Sequence, residues 1–155
     1  IIFLGDTWHD RHGLTRMIED DRLIFDKILN DFECLFIVGN HDPDQLSSSE
    51  LPFINNLEIG NVILRHIPDI YSPNAEICGH LHPVIRIKTK EKTLRRPCFV
   101  GTHHRLILPA FGAYTGGLNC LYPAIARLFE GHMVRYFALG QKRIYEIGAQ
   151  QLLND

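Results

Sequence analysis

Two short apolar segments near the start of the chain constrain its fold more than any other feature. The runs Ile1–Leu4 and Cys34–Val38 each end in a glycine followed by a polar residue, Asp6 in the first case and Asn40 in the second. Between them, apolar residues recur every three to four positions over Leu14–Phe32, which predicts a helix. A strand, a helix and a strand in this order are typical of a parallel crossover unit. Asp6 and Asn40 would then lie together at the carboxyl edge of a sheet, where open α/β sheets bind ligands.

The rest of the chain is richer in strands than in helices. The segment "DPDQLSSSELP" is predicted to be a loop, and "FGAYTGG" is a second, glycine-rich loop. The polar connection Thr89–Lys92 predicts a hairpin, and Leu121–Phe129 predicts a short helix. Short apolar runs predict further strands at Val62–His66, Ala75–Cys78, Val84–Lys88, Leu94–Val100 and Leu106–Ala110, and a closing hairpin from Met133–Leu139 and Arg143–Ile147. With no interdomain linker visible, we expect one α/β domain, a sandwich of two sheets flanked by helices.

Composition excludes several classes of function. The 155 residues are 45% hydrophobic and 22% charged, with a formal net charge of −2, so any binding to nucleic acid must come from a local patch. No apolar run approaches the ~18 residues of a membrane span. The four cysteines form no C-x-x-C pair, which argues against a cysteine zinc site. Three of them, Cys34, Cys78 and Cys98, lie in apolar runs and are predicted to be buried, which points to a reducing, cytoplasmic compartment.

Three stretches share one design, in which an apolar run and a glycine precede side chains that can bind metal. The glycine lets the chain turn sharply off the strand. Carboxylate, imidazole and amide oxygen together suit borderline metals such as Mn, Fe or Zn better than Mg or Ca. Each motif alone is common in purely structural roles, but the whole series predicts a metal site. The stretches are "FLGDTWH" with Asp6 and His9, "FIVGNHD" with Asn40, His41 and Asp42, and "EICGHLH" with His80 and His82, and His66 ends a further strand, "VILRH".

This series resembles the motifs of the calcineurin-like metallophosphoesterases. The resemblance implies a β-sandwich of two mixed sheets and a site for two divalent metal ions, Mn²⁺ foremost, with Fe or Zn as the other candidates. It also implies that Asp6 bridges the two metals. Asn40, His66 and His80 would hold one metal, and His82 would hold the other. His41 would bind no metal but would contact the scissile phosphate and protonate the leaving oxygen.

The first motif of that superfamily, D-x-H at the end of a preceding strand, has no counterpart in this chain. We therefore expect residues 1–155 to be a single metallophosphoesterase domain that is incomplete at its N-terminus, with the first strand missing. Without D-x-H, one metal would lack two of the expected ligands. The chain could then be a binding module without catalytic activity, which is an alternative of a different class.

A more specific resemblance covers most of the chain. The stretches "GHLHPVIRI", "RRPCF", "RLILPAFGAYTGGLN" and "RIYEIG" are similar to those of the bacterial ligase-associated DNA damage response endonucleases. This similarity implies a nuclease that hydrolyses phosphodiester bonds of DNA during repair, with a DNA ligase and a helicase-like protein as partners. The motifs define the reaction centre and not the substrate, so a small-nucleotide phosphodiesterase or phosphatase is the alternative within the enzymes.

Three residues beside these motifs have two interpretations each. Asp42 could orient the ring of His41, or it could cap the turn that follows the strand. His9 could support a metal ligand by a hydrogen bond, or it could lie on an exposed loop. Trp8 is predicted to be a packing residue, with stacking on a nucleic-acid base as the other interpretation.

One basic cluster lies directly after His82. Arg86, Lys88 and Lys90 alternate along the chain, so in a strand they share one face and could guide a phosphate backbone into the site. The other interpretation, which we favour, is a solvated hairpin whose lysines prevent edge-to-edge pairing with other strands.

Overall fold

The predicted strand–helix–strand unit forms the first of two sheets. The computed structural model describes residues 1–8, 12–42, 51–112 and 115–155. Strand β1 (Ile2–Leu4), helix α1 (Glu19–Asp31), strand β2 (Leu35–Ile37) and strand β3 (Phe53–Ile54) follow in chain order. β2 lies between β1 and β3 and is parallel to both. The parallel crossover predicted from the sequence is therefore confirmed.

An aromatic cluster holds α1 against this sheet. The Phe36 ring is fully buried, and Phe3 stacks on it at 4.5 Å between ring centroids. Trp8 lies 5.9 Å from Phe36, nearly parallel, and 5.8 Å from Phe25 of α1, edge to face. Aromatic pairs at these distances stabilise a core beyond the area that they bury. Trp8 is therefore a packing residue of the first sheet.

Helix α1 begins at Glu19 and not at Leu14 as the apolar spacing predicted. Ile18 has an extended backbone, with φ −68° and ψ 157°, and three acidic residues follow it in the first turn. Acidic side chains are favourable there because the helix dipole is positive at its N-terminus. Leu23 and Ile24, two residues of the predicted apolar stripe, are 62% and 61% exposed.

The second sheet contains the remaining strands of the described residues. The strands are β4 (Asn56–Ile59), β5 (Val62–Arg65), β6 (Ala75–Cys78), β7 (Pro83–Lys88), β8 (Thr93–Gly101), β9 (Arg105–Ile107), β10 (Leu118–Asn119), β11 (Arg135–Leu139) and β12 (Ile144–Ile147). Their order in the sheet is β10-β7-β8-β9-β6-β5-β4, and β11 pairs with both β8 and β12. Parallel pairs such as β5 with β6 lie beside antiparallel pairs such as β7 with β8, so this sheet is mixed, as predicted.

The main core lies on one face of this second sheet. Helix α2 (Pro123–Ala126) and the 3₁₀ turn Arg127–Phe129 replace the single short helix predicted there, and they pack on the core through Ile125 and Phe129. Cys78 and Cys98 are fully buried, as predicted, whereas Cys34, which was predicted to be buried too, is only half-buried. The Cys98 sulfur lies 3.3 Å from that of Cys120, which is buried as well.

Both predicted loops lie partly outside the described residues, at positions 43–50 and 113–114. A second 3₁₀ turn, Ala149–Gln151, follows β12. No helix in the described part of the chain is long and apolar enough to cross a membrane.

Candidate metal centre

Asp6 stands at the carboxyl end of β1 in an unusual backbone conformation. Gly5 has φ +85° and Asp6 has φ +49°, so the chain turns off the strand through two left-handed residues. This conformation is strained for a residue with a Cβ, and such strain is characteristic of functional sites. The Asp6 N–H donates to Asp42 Oδ2 at 3.0 Å, and Asp6 Oδ1 accepts the His41 N–H at 2.8 Å. The ends of β1 and β2 are therefore joined through Asp6.

Gly39 permits this close approach. A Cβ built on Gly39 would lie 2.1 Å from Asp6 Oδ1 and 2.2 Å from the Asp6 backbone nitrogen, far inside van der Waals contact. Asp42 Oδ2 also accepts the Gly39 N–H at 2.7 Å. The glycine of the "GNHD" stretch is therefore required by the packing of two strand ends.

His66 joins the two sheets at this point. It directly follows β5, and its Nδ1 lies 2.8 Å from the Leu4 carbonyl oxygen of β1. A carbonyl oxygen can only accept, so Nδ1 carries the proton. Nε2 lies 3.0 Å from Asp6 Oδ2 and 3.1 Å from Asn40 Oδ1. Nε2 therefore faces two oxygen acceptors, an arrangement that a cation or a proton between them makes favourable.

His80 and His82 follow β6 on a second strained turn. Their φ angles are +65° and +45°, and the Leu81 N–H between them donates to the Gly79 oxygen at 2.7 Å. The His80 ring lies 5.1 Å from the His66 ring, edge to face. Burial is the main cause that lowers the pKa of His80 and of His82, and the His66 ring beside them adds to it. These shifts favour the neutral imidazole, the form that binds metal.

Asp6, His66 and His80 form a compact cluster in which one ligand atom from each lies within 4.8 Å of the others. Asn40 Oδ1, beside His66 Nε2, adds a fourth atom that can bind a metal ion. One carboxylate, two imidazoles and one amide oxygen are a ligand set that suits a borderline divalent metal. The sequence motifs predicted one site for these four residues, and the structure brings them together. His82 lies near this cluster but is not one of its three members.

His41 and Asp42 follow Asn40 and differ in their surroundings. His41 is exposed, and its charge contributes to the lowered pKa values of His80 and His82. Asp42 is 8% exposed, and its hydrogen bonds within the described residues go to the backbone of Asp6 and Gly39. This geometry corresponds to one of the two interpretations of Asp42, in which it caps the turn. His9, the remaining candidate of this region, lies outside the described residues.

The basic cluster lies on the β7–β8 hairpin, and that hairpin is confirmed. Arg86 donates through Nη1 to the Asn154 carbonyl oxygen at 2.6 Å, so its guanidinium anchors the C-terminal segment. Lys88 is the last residue of β7 and is exposed. Lys90 lies in the turn, where Thr89 and Lys92 are hydrogen-bonded, so strand alternation relates only Arg86 to Lys88.

Buried charges that no sequence motif predicted support the site. Glu76 of β6 is 2% exposed and pairs with Arg105 of β9, and Arg65 of β5 lies 3.5 Å from the same carboxylate. The strands that lead into His66 and His80 are thereby joined by one ion-pair network. An acidic residue within an otherwise apolar strand was the signal that could have revealed it, because a buried carboxylate needs partners.

Comparisons with known proteins agree with this fold. No protein-family model matches the chain, and no curated protein matches it. Among solved structures, it is similar to the one described as the crystal structure of Pseudomonas putida nuclease MPE, with 26% sequence identity and a TM-score of 0.70. The match covers 94% of this chain and 68% of that chain. The chain thus shares the mixed α/β fold of a nuclease.

Proposed function

We propose that this protein is a metal-dependent phosphodiesterase that cleaves nucleic acid at the Asp6–His66–His80 cluster. The observation that carries the proposal is the convergence of these side chains, with their ligand atoms within 4.8 Å of one another, at the ends of strands from both sheets. Similarity to a nuclease over 94% of the chain supports nucleic acid as the substrate class.

The residues present suit a metal ion. Asp6, Asn40, His66 and His80 would hold one divalent ion, and His82 would belong to a second site that shares Asp6. Manganese is the first candidate, with iron and zinc next, because imidazole and carboxylate ligands suit all three. Bound ions of this kind supply Lewis acidity, which activates water and neutralises charge on the phosphate.

His41 and Asp42 would serve the reaction in different ways. The His41 backbone is tied to Asp6 by its N–H, which keeps the exposed imidazole beside the cluster. We assign to that imidazole a contact with the scissile phosphate and the delivery of a proton to the leaving oxygen, a general-acid role. Asp42 accepts hydrogen bonds from the backbone N–H groups of Asp6 and Gly39. It would therefore position the Asp6 carboxylate and would not touch the substrate.

The physiological substrate that we propose is DNA, in a repair reaction. The stretch "LPAFGAYTGG", which general phosphoesterase chemistry does not require, carries the resemblance to the ligase-associated DNA damage response endonucleases. A DNA ligase and a helicase-like protein as partners, and a cytoplasmic location, belong to the same proposal. The similarity to the Pseudomonas putida nuclease supports only nuclease activity in general.

A substrate comparison tests this function. Metal-free full-length protein is assayed with and without Mn²⁺ on single-stranded DNA, a cyclic nucleotide and an aryl phosphodiester. We expect Mn²⁺-dependent turnover of DNA and of the aryl ester, and a loss of about 100-fold or more in His41→Ala with metal content unchanged. His103→Ala, at an exposed turn, is the matched control. Activity confined to mononucleotides would refute the DNA assignment, and the absence of any turnover with Mn²⁺ would refute the function.

A further inference from the structure

A cleft of about 350 Å³ opens beside the metal centre, and we call it the amide cleft. It lies where the end of β2, the β3–β4 junction and the end of β5 meet. Asn40 and His66 line the cleft and also belong to the metal centre, so the cleft borders that centre directly. Its volume is at the lower end of the range for small-ligand sites in proteins. Its lining includes Asn40, Asn55, Asn56, Arg65, His66 and Ile67.

The passage of the chain from one sheet to the other builds this cleft. The Val38 N–H donates to the Ile54 oxygen at 2.9 Å, which sets the end of β3 beside the end of β2. Asn55 alone separates β3 from β4, so it lies at the seam between the sheets next to Gly39. Asn56, the first residue of β4, is the direct cross-strand partner of Arg65. Directly opposed residues place their side chains on the same face of a sheet.

The residues that line the amide cleft suit a neutral, polar ligand that also has an apolar face. Asn55 and Asn56 are exposed, and neither side chain has a hydrogen bond to a described residue. Each amide offers both donors and an acceptor. Ile67 is 49% exposed and supplies an apolar wall. The Arg65 guanidinium is held by Asp69 at 3.1 Å, and no carboxylate of the described residues lines the cleft.

We propose that the amide cleft binds the nucleoside unit joined to the phosphate at the metal centre. This inference rests on the proposed function and adds to it a subsite for one substituent of the phosphodiester. A nucleobase edge carries donors and acceptors that asparagine amides match, and its face and sugar are apolar enough to pack on Ile67. An aryl phosphodiester has no such edge, so it reacts without using the amides.

The test compares two substrates in three variants. Asn55→Ala and Asn56→Ala are set beside Asn74→Ala, an exposed asparagine that precedes β6, at the end of that strand away from His80. In the Mn²⁺-loaded full-length protein, kcat/KM for a single-stranded oligonucleotide should fall about tenfold in each cleft variant. Turnover of the aryl phosphodiester should stay within about twofold in all three variants. Fluorescence anisotropy with a labelled oligonucleotide should show the same weakening of Kd, independently of turnover.

The possible results separate the two proposals. Equal losses on both substrates would mean that the asparagines only support the structure, and would overturn the cleft proposal. An active wild-type protein whose oligonucleotide affinity and kcat/KM survive both substitutions would overturn it as well, while leaving the proposed function intact. A wild-type protein that hydrolyses neither substrate would overturn the proposed function, and the subsite with it.

Discussion

The Glu76→Ala substitution should be among the most damaging single changes in the second sheet. Glu76 lies in β6, its carboxylate pairs with Arg105, and the two side chains are 1% and 11% exposed. The same carboxylate accepts the Asp69 N–H at 3.2 Å. Removing it leaves a buried guanidinium without its counter-ion, although Arg105 keeps the carbonyl oxygens of Leu128 and Asp69. Breaking a buried ion pair from one side typically costs about 3–5 kcal/mol.

Because Arg105 keeps its two carbonyl acceptors, Glu76→Ala should lower the free energy of unfolding by about 3 kcal/mol, the lower end of that range. For a domain of 155 residues, each kcal/mol lowers Tm by roughly 2–4 °C, so Tm should fall by roughly 6–12 °C. Glu76→Gln keeps the shape and the acceptor oxygen and should lose less. Circular dichroism on heating measures these shifts, and a urea titration checks them at constant temperature.

Glu146→Ala is the matched control for this prediction. Glu146 pairs with Arg135 at 2.8 Å on the surface, where the side chains are 54% and 60% exposed. Water and salt screen such pairs, so Tm should change by no more than about 2 °C. If the Glu76→Ala and Glu146→Ala proteins melt at the same temperature, the buried ion pairs of Glu76 do not stabilise the packing of β5, β6 and β9.

Two further predictions concern the strand ends and the thiols. Gly39→Ala should abolish most of the proposed phosphodiesterase activity, because its Cβ would lie 2.1 Å from Asp6 Oδ1 and 2.2 Å from the Asp6 backbone nitrogen, so the two strand ends would have to move apart. A displacement of about 1 Å at a catalytic group can cost 100-fold in rate. Unchanged kcat would show that Asp6 need not be held there. Burial raises the pKa of the Cys78 thiol to about 12, and Cys34 is only half-buried. In the native protein, Cys34 should therefore react first with a thiol reagent, and Cys78 should react only after unfolding. Rapid native labelling of Cys78, read by mass spectrometry, would contradict that burial.

Local patterns were sufficient to predict most of the elements that pair with near neighbours in sequence. The crossover over β1, α1 and β2, the hairpin at Thr89–Lys92 and the closing hairpin were all predicted from apolar runs and turn residues. Strand β4 was missed although it pairs with its neighbour β5, because Asn56 and Glu58 leave it without a continuous apolar run. Strands β3 and β10 were missed because each has only two residues and depends on pairing with a distant strand. The start of α1 was predicted too early because the apolar spacing already includes residues before Glu19. The backbone of Ile18 is extended, so the helix begins only after it.

The site was predictable in its residue types and not in its geometry. Glycines followed by metal-capable side chains indicated Asp6, Asn40 and His80, and a histidine at the end of a further strand indicated His66. That His66 would bond the Leu4 carbonyl oxygen, and so orient Nε2, depends on the contact between two sheets, which no local pattern encodes. The role of Asp42 in holding Gly39 and Asp6 depends on the same closeness of strand ends.

Calorimetric titration of Mn²⁺ into the metal-free full-length protein tests the central claim most directly. The account predicts saturable binding to the wild-type protein and to His103→Ala, and affinity at least about tenfold weaker in His80→Ala. His80→Ala should retain the wild-type circular dichroism spectrum, since the ring lies at the end of β6 and not within the sheet. Mn²⁺ binding with the same affinity in all three proteins, or no binding to the wild-type protein, would contradict a metal centre at Asp6, His66 and His80.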